Sequence, residues 1–243
     1  MFAPTRILAP VDFSSSATAA LHRALDLAER TGAALHVLHI VPGTEPITAD
    51  EIEGMTEPDR AFFQRVWDRA DGELTGYLRR ERIVGTKLKR VLSYGHPSEV
   101  ILDYVNAQGV DLVVMGTHGR RGLRHFLLGS VAEEVLRRAQ VPVLVVPEHA
   151  DGRVPIKRVL APTDFSDAAR HAVATALALA ERYDAQLDLL HVLIPMHFLK
   201  ALAGVQVPTD FFPELRARSE QQLATFAEGA PMPVGRHIEE GRA

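Results

Sequence analysis

The spacing of hydrophobic and polar residues changes several times along the first 150 positions. Short apolar runs of strand length alternate with longer stretches in which apolar residues recur every three to four positions, the spacing of an amphipathic helix. Strands separated by helices predict βαβ units, and these units build a parallel sheet. The pattern therefore predicts a doubly wound α/β domain with five parallel strands. The predicted strands lie in residues 6–14, a range in which the strand runs into a loop, and in 34–41, 87–92, 110–115 and 141–146.

Residues with capping preferences mark the predicted helix ends. Ser14 to Ser16 precede the first helix and can accept hydrogen bonds from its free N–H groups, while Gly32 follows its last turn. Two further helices are predicted from about Asp59 to Glu81 and from the turn at residues 95–99 to Val105. Ser130 is predicted as the N-cap of the last helix.

The opening of the chain recurs 152 positions later. Residues 158–166 repeat residues 6–14 with two substitutions, and matches continue at the same offset beyond them. A fixed offset of this kind indicates an internal duplication. Nothing in the second copy corresponds to residues 101–146. The predicted organisation is a complete domain at 1–147, a polar linker with Pro and Gly at 148–155, and an incomplete copy at 156–243 that lacks the glycine-rich loop and the last strand.

That glycine-rich loop spans residues 116–130, between the fourth predicted strand and the last helix. Glycine allows the backbone to approach a ligand closely, and the free N–H groups at a helix N-terminus attract anions. The loop contains no Gly-Lys-Ser/Thr, and no Gly-x-Gly-x-x-Gly follows the first strand, so neither a Walker loop nor a dinucleotide fingerprint is present. We interpret the loop as a phosphate cradle; an ordinary strand-to-helix loop that binds nothing is the alternative.

Composition excludes several classes of function. The net charge of −4 disfavours a nucleic-acid partner, and the absence of cysteine excludes disulfides, thiolate zinc sites and cysteine nucleophiles. The N-terminus lacks the pattern of a signal peptide, and no apolar run reaches the length that spans a membrane. We therefore expect a soluble, cytoplasmic protein with no membrane contact.

The glycine spacing is specific enough to suggest a family. Gly116, Gly119 and the pair Gly129-Ser130 are separated by two and nine residues, which resembles the ATP-binding signature of the universal stress protein family. The Ala-Pro-Val-Asp-Phe-Ser opening, the Gly-His-Pro turn and the Pro-Val-Leu-Val-Val end look like that family as well. The resemblance covers the whole first copy and the front half of the second, and it implies a Rossmann-like fold of the universal stress protein type.

The resemblance also implies a site for ATP and Mg²⁺. Asp12 would lie near the ribose and the metal ion, residues 10–12 and Val41 would flank the base, and loop backbone groups would hold the phosphates. A helix-capping role is the alternative for Asp12, and a solvated position is the alternative for His118. The candidate cofactor-binding residues are Pro10, Val11, Asp12, Val41, Met115, Gly116, His118, Gly119, Gly129, Ser130 and Val131, with Asp12 as the candidate metal ligand.

These features lead to a functional hypothesis with two alternatives. We expect an ATP-binding stress-response protein whose nucleotide state changes its conformation or its partners. A slow ATPase at the same site is one alternative, although no base is evident beside the loop; an interaction scaffold without nucleotide is the other. We expect no nucleotide in the second copy, a capping role for Asp164, and hydrogen-bonded structural roles for His39 and His191. A homodimer through the Val141–Val146 strand is predicted, because the resemblance implies pairing there and an exposed apolar edge favours it.

Overall fold

The computed structural model describes residues 3–43, 54–85, 87–117, 128–194 and 211–241, with the side chain of residue 211 outside this description. The chain divides into two compact units, Pro4–Val154 and Pro155–Ala243. Each unit contains its own β-sheet, with five strands in the first and three in the second.

The first unit is a five-stranded parallel sheet with helices between its strands, as the sequence predicts. The strand order is β3-β2-β1-β4-β5, so the chain builds outward from β1 to β3 and then returns to the other side of β1. The elements are β1 (Arg6–Val11), α1 (Ser15–Thr31), β2 (Ala34–Pro42), α2 (Glu57–Arg80), β3 (Leu88–Gly95), α3 (Pro97–Gln108), β4 (Leu112–Gly116), α4 (Ser130–Arg138) and β5 (Val143–Val146).

Helix α1 shows why the predicted boundaries hold. The Ser14 hydroxyl accepts a hydrogen bond from the Ala17 N–H at 3.2 Å and so caps the N-terminus. Gly32 ends the helix in the left-handed conformation, with φ at 71°. Between these caps, Leu21 and Ala24 are fully buried because the apolar stripe faces the sheet.

The core of the first unit lies on both faces of the sheet. On one face, Leu8 and Leu38 pack with residues of α3 and α4 such as Ile101 and Val135. The other face carries α1 and α2, which are joined by a 2.9 Å hydrogen bond between the hydroxyls of Thr18 and Tyr77. Burial of both faces is what a parallel sheet requires.

Several element boundaries differ from the sequence prediction, among them the starts of β4, β5 and α4. Strand β4 begins at Leu112, directly after Asp111, whose carboxylate accepts from the Thr5 and Arg6 N–H groups while its own N–H donates to the Arg6 carbonyl at 3.1 Å. Strand β5 begins after Pro142, which has no N–H to donate. The prediction of Ser130 as N-cap is wrong: Ser130 is the first residue of α4, and Gly129 is the N-cap.

Gly129 takes the capping position because its backbone is held outside the helix. Its N–H donates to the Thr117 carbonyl at 2.6 Å, and its own carbonyl accepts from the Glu133 N–H at 2.9 Å. With φ at −77° and ψ at 154°, Gly129 is extended and Ser130 begins the helical turn.

The segment predicted as a linker packs against α1 as far as Val154. Arg23 donates to the Val154 carbonyl at 2.7 Å, and Ser15 donates to Glu148 at 2.6 Å. Gly152 lies so close to α1 that a Cβ there would overlap the Ala19 carbonyl. Residues 148–154 are therefore counted with the first unit.

The second unit repeats the first three strands of the first. Its strands are parallel and ordered β6-β7-β8, which confirms the smaller second sheet. Within residues 155–194 and 211–241, β6 pairs with β7 alone. The elements are β6 (Arg158–Pro162), α5 (Asp167–Tyr183), β7 (Gln186–Leu193), α6 (Phe211–Ala227) and β8 (Val234–Glu240).

Candidate functional site

The candidate site lies at the carboxyl ends of β1 and β4, where the strand order of the first sheet reverses. The two strands are direct neighbours, with Leu8 opposite Val113. In open α/β sheets, ligands bind in the crevice at such a reversal. Five of the predicted residues come together on these two strands or directly after them: Pro10, Val11, Asp12, Met115 and Gly116.

Burial limits what each of these residues can offer a ligand. The side chains of Val11 and Met115 are both only 5% exposed, so they belong to the core. Asp12 is half-buried at the start of the β1–α1 loop. One of its carboxylate oxygens, Oδ1, accepts from the Ser14 N–H at 3.1 Å and from the Ser14 hydroxyl at 2.6 Å. Asp12 therefore orders the turn before α1, which agrees with the capping role considered for it.

Gly116 has a clear packing role. A Cβ at this position would lie 2.6 Å from Ser16 Oγ and 2.8 Å from the Ala17 N atom, closer than a side chain allows. The end of β4 can therefore lie directly on the first turn of α1 only because residue 116 is glycine.

The N-terminus of α4 differs from those of three other helices. In α1, α2 and α5, the hydroxyl of Ser14, Thr56 or Ser166 accepts a hydrogen bond from the first turn. The α4 cap is Gly129, which has no side chain to do so. The first N–H groups of any helix lack an intrahelical acceptor, so those of Ser130 and Val131 suit an anion.

A hydrogen-bond network that runs from buried Ser98 to the surface holds α4 against α3. The fully buried Ser98 hydroxyl donates to Glu134 at 2.7 Å, and Arg138 donates to Glu134 at 2.8 Å and also to Glu99. These donors, Ser98 first, hold the pKa of Glu134 below its usual range. The network joins α3 to α4, and sequence reasoning missed it because Ser98 and Glu134 are 36 positions apart.

Val41 lies beside Tyr94, its register partner on β3, and is half-buried. Two residues earlier on β2, His39 is 9% exposed and its Nδ1 donates to the Val11 carbonyl at 2.8 Å. The His39 ring also lies 4.3 Å from the ring of Phe13, measured between centroids. The predicted structural role of His39 is therefore confirmed.

Asp12 is the one predicted metal ligand, and it lies within the described part of the chain. No group of three or more His, Asp or Glu side chains suited to a metal ion occurs among the described residues. A half-buried carboxylate is nevertheless a ligand that Mg²⁺ accepts, the rest of its shell coming from water and phosphate oxygens. Two other predicted site residues, His118 and Gly119, lie outside the described residues.

The second unit reproduces the β1 side of this arrangement. Asp164 Oδ1 accepts from the Ser166 N–H at 2.9 Å, and hydrogen bonds from Ser166, from its hydroxyl first and then from its N–H, hold the pKa of Asp164 below its usual range. His191 Nδ1 donates to the Thr163 carbonyl at 2.8 Å, as His39 does to Val11. Asp164 thus orders the turn that Ser166 caps, in agreement with its predicted role.

A family model described as the universal stress protein family matches residues 4–147 and 155–243. The chain belongs to the universal stress protein family. Over 151 residues it is 28% identical to universal stress protein MJ0577 of Methanocaldococcus jannaschii, which covers 58% of this chain and 93% of that protein. It is also 28% identical over 146 residues to universal stress protein YxiE of Bacillus subtilis, covering 58% and 97% of the two chains.

Solved structures extend the similarity of this universal stress protein to both units. The crystal structure of a universal stress protein from Archaeoglobus fulgidus aligns with a TM-score of 0.62 over 99% of this chain and 80% of that one, at 21% identity. At this identity the match shows the fold alone. It covers both units, which follow each other in tandem along the chain. No helix among the described residues is long and apolar enough to cross a membrane.

Proposed function

We propose that the first unit binds ATP together with Mg²⁺ and that the bound nucleotide regulates the protein in a stress response. The observation that carries this proposal is the position of Asp12, which follows β1 at the strand-order reversal, on the edge where β4 ends. The chain re-enters a helix after β4 at Gly129, a cap without a side chain. A carboxylate for a metal ion and free helix N–H groups for phosphate are the two groups that a magnesium-bound polyphosphate needs.

On the phosphate side, the backbone N–H groups of Ser130 and Val131 are the donors we assign. The network of Ser98, Glu134 and Arg138 supports the assignment because it holds α4 against α3. A helix N-terminus held in place can offer its N–H groups without a further loss of freedom on binding. The backbones of Gly116 and Gly119 would contact the phosphates as well.

On the base side, we assign the backbone of Pro10 and Val11 together with the side chain of Val41. Val41 is half-buried near the carboxyl end of β2, next to β1. Asp12 lies between the base and phosphate regions, where its carboxylate would bind the ribose or Mg²⁺. Met115 and His118 complete the proposed site.

We favour a regulatory nucleotide over hydrolysis. Hydrolysis needs a group that positions water beside the terminal phosphate. The carboxylate of Asp12 is already engaged with Ser14, and the loop sequence contains no evident base. The second unit is proposed to bind no nucleotide, since its described part contains the aspartate turn and no helix that follows a fourth strand.

We also propose a cytoplasmic homodimer that pairs through residues 141–146. Strand β5 lies at the edge of the first sheet, and its residues Val143, Leu144 and Val145 are only partly buried. An exposed apolar edge strand favours pairing with another chain. Sedimentation at micromolar concentration measures this directly, and a monomeric mass would contradict it.

Calorimetric titration with Mg-ATP tests the nucleotide proposal through residue 129. Gly129 has φ at −77°, so other residues fit its backbone, and both Asn and Asp are good N-caps. In Gly129→Asn, the side chain competes with phosphate for the helix N–H groups; Gly129→Asp adds a negative charge. We expect one ATP per chain in the wild type, about tenfold weaker binding for Asn and about hundredfold for Asp, since hydrogen bonds to charged groups contribute roughly 1.5 to 3 kcal/mol.

The same two variants contain their own control. Because each supplies a cap, neither is expected to lower the unfolding temperature of the protein. Loss of binding with unchanged stability supports the assignment of the α4 N-terminus. Equal affinity in the wild type and Gly129→Asp would contradict it.

A further inference from the structure

Three aromatic side chains form a cluster near the carboxyl ends of β2 and β3 in the first unit. The ring centroids of Phe63 and Trp67 are 5.9 Å apart, and those of Phe63 and Tyr94 are 5.8 Å apart at an interplanar angle of 67°. Trp67 is the only tryptophan of the chain. Trp67 and Tyr94 are both half-buried, so part of each ring remains accessible.

The cluster is adjacent to the residue that we assign to the base. Tyr94 is the register partner of Val41, and paired residues on parallel strands share a face of the sheet. The chain leaving β2 also comes very close to Tyr94, because a Cβ on Gly43 would overlap the tyrosine ring. The Gly43 N–H also donates to the Gly95 carbonyl at 3.1 Å. Tyr94 is therefore held in place beside Val41.

The described residues of the second unit, 155–194 and 211–241, share this framework but show no such cluster. In the first unit Phe13 packs on Tyr77 of α2, and in the second Phe165 packs on Phe226 of α6. With these helices aligned, the position of Trp67 corresponds to Arg216. By strand register, Glu240 pairs with Leu193 as Tyr94 pairs with Val41. Both aromatic positions are thus charged in the unit for which no nucleotide is proposed.

Sheet geometry makes the cluster reachable from the phosphate side. The order β3-β2-β1-β4 places three intervals between the end of β4 and the end of β3. At about 4.8 Å per interval the separation is about 14 Å. A nucleotide lying across the strand ends, with its phosphates at α4 and its ribose near Asp12, would bring its base to the ends of β2 and β3.

We propose that Tyr94 and Trp67 form the outer wall of the base subsite and stack against the purine of the nucleotide. This inference rests on the proposed function and names the side chains that recognise the base. An aromatic ring stacks on any base, so the wall supplies affinity for a nucleoside over a simple polyphosphate. The alternative is that the three rings only pack against one another above the sheet.

A comparison of two ligands separates these possibilities. The full-length wild type and the variants Trp67→Leu, Tyr94→Leu and Phe62→Leu are titrated with Mg-ATP and with magnesium tripolyphosphate, which has no base. Phe62 is the matched control because it lies on the same helix, is 63% exposed and is outside the cluster. We expect about tenfold weaker ATP binding in the Trp67 and Tyr94 variants, from the lost stacking, with tripolyphosphate affinity unchanged in all proteins.

Trp67 fluorescence in the unmodified protein gives a second readout that needs no variant. We expect its emission to change with ATP and to stay constant with tripolyphosphate. Unchanged ATP affinity in both cluster variants would overturn the wall and leave the proposed function in place. An equal loss of affinity for ATP and for tripolyphosphate would also overturn the wall, because the substitutions would then affect more than the contact with the base. If the wild type bound neither ligand, the proposed function itself would fail, and the wall with it.

Discussion

In both units an aspartate follows the first strand and accepts a hydrogen bond from the serine two residues later. The phenylalanine between them has φ at 66° in each case, in Phe13 and in Phe165. Its ring lies 4.3 Å from the ring of a histidine on the next strand, His39 or His191. The described part of the second unit keeps this geometry without a counterpart of β4 or α4. The turn is therefore a structural property of the repeat, and an aspartate in it does not by itself indicate a nucleotide site.

The units differ in what lies beyond that turn. Leu8 of β1 is fully buried because α3 and α4 cover its face of the sheet. Its counterpart on β6, Leu160, is 59% exposed. The first unit also has β4 beside β1, and with it the Gly116 contact and the start of α4 without a side-chain cap. Strand β4 and helix α4 therefore make the difference between a repeated turn and a candidate binding site.

A substitution at Gly116 should change the stability of the first unit relative to the second more than any other proposed substitution. In Gly116→Val, the new side chain meets the backbone of Ser16 and Ala17, which cannot move without shifting α1. Overpacking of this kind costs about 2 kcal/mol of unfolding free energy. Amide hydrogen exchange followed by unit should show the loss in the first unit and no change in the second.

Gly72→Ala is the control for that substitution. Gly72 lies inside α2, and a Cβ added there would have no atom of another residue within 4 Å, so alanine should stabilise the helix by roughly 0.5 to 1 kcal/mol. If Gly116→Val left the exchange rates of the first unit unchanged, the close packing of β4 on α1 would not be a requirement of the fold.

The pair Asp12→Asn and Asp164→Asn tests whether only one of the two equivalent aspartates holds a metal ion. An asparagine oxygen can still accept from the serine two residues later, so both turns should persist. We expect Asp12→Asn to weaken Mg-ATP binding about tenfold, or about 1.4 kcal/mol, through loss of charge at the ion. Asp164→Asn should leave the affinity unchanged. Calorimetry with and without Mg²⁺ measures both, and equal losses in the two variants would contradict a single site.

Much of the fold could be predicted because it depends on local patterns. The apolar periodicity specifies the strands and helices, and the repeat offset specifies that the first three strands occur twice. The predicted ends of α1 are correct because Ser14 and Gly32 act within one turn of the helix. Ser130 failed as a cap because the choice between it and Gly129 depends on a bond from Gly129 to Thr117, which sequence alone does not show.

The candidate site could be predicted only in part for the same physical reason. The residues at strand ends follow from topology, since parallel strands bring their carboxyl ends to one edge. The network from Ser98 to Glu134 and the ring contact of Phe63 with Tyr94 join elements distant in sequence. Neither has a short motif, so both required the three-dimensional structure.

Acid should affect the two units in different pH ranges, and this is the smallest effect we expect. His36 and Asp188 occupy equivalent strand positions, 152 residues apart. Burial lowers the pKa of His36, with Lys89 and Arg6 adding to the shift. Hydrogen bonds from His237 at 3.0 Å and from Arg158 at 3.1 Å lower the pKa of Asp188.

The sign is the same for both groups, but the range differs. Below about pH 6.5 the unfolded chain protonates His36 before the folded chain does, so the first unit loses stability as the pH falls from there through the folded pKa. The Asp188 contribution is complete above about pH 3.9 and is lost below it, as the pH falls through the folded pKa. Hydrogen exchange by unit at about pH 7.5, 5.5 and 3, the last of which lies within the range of Asp188, should therefore show the first unit weakening first. His36→Gln should reduce the loss of stability of the first unit between about pH 7.5 and 5.5, and Asp188→Asn should reduce the loss of stability of the second unit below about pH 3.9. If the first unit of the wild type were equally stable at about pH 7.5 and 5.5, His36 would not be the cause of its sensitivity to acid.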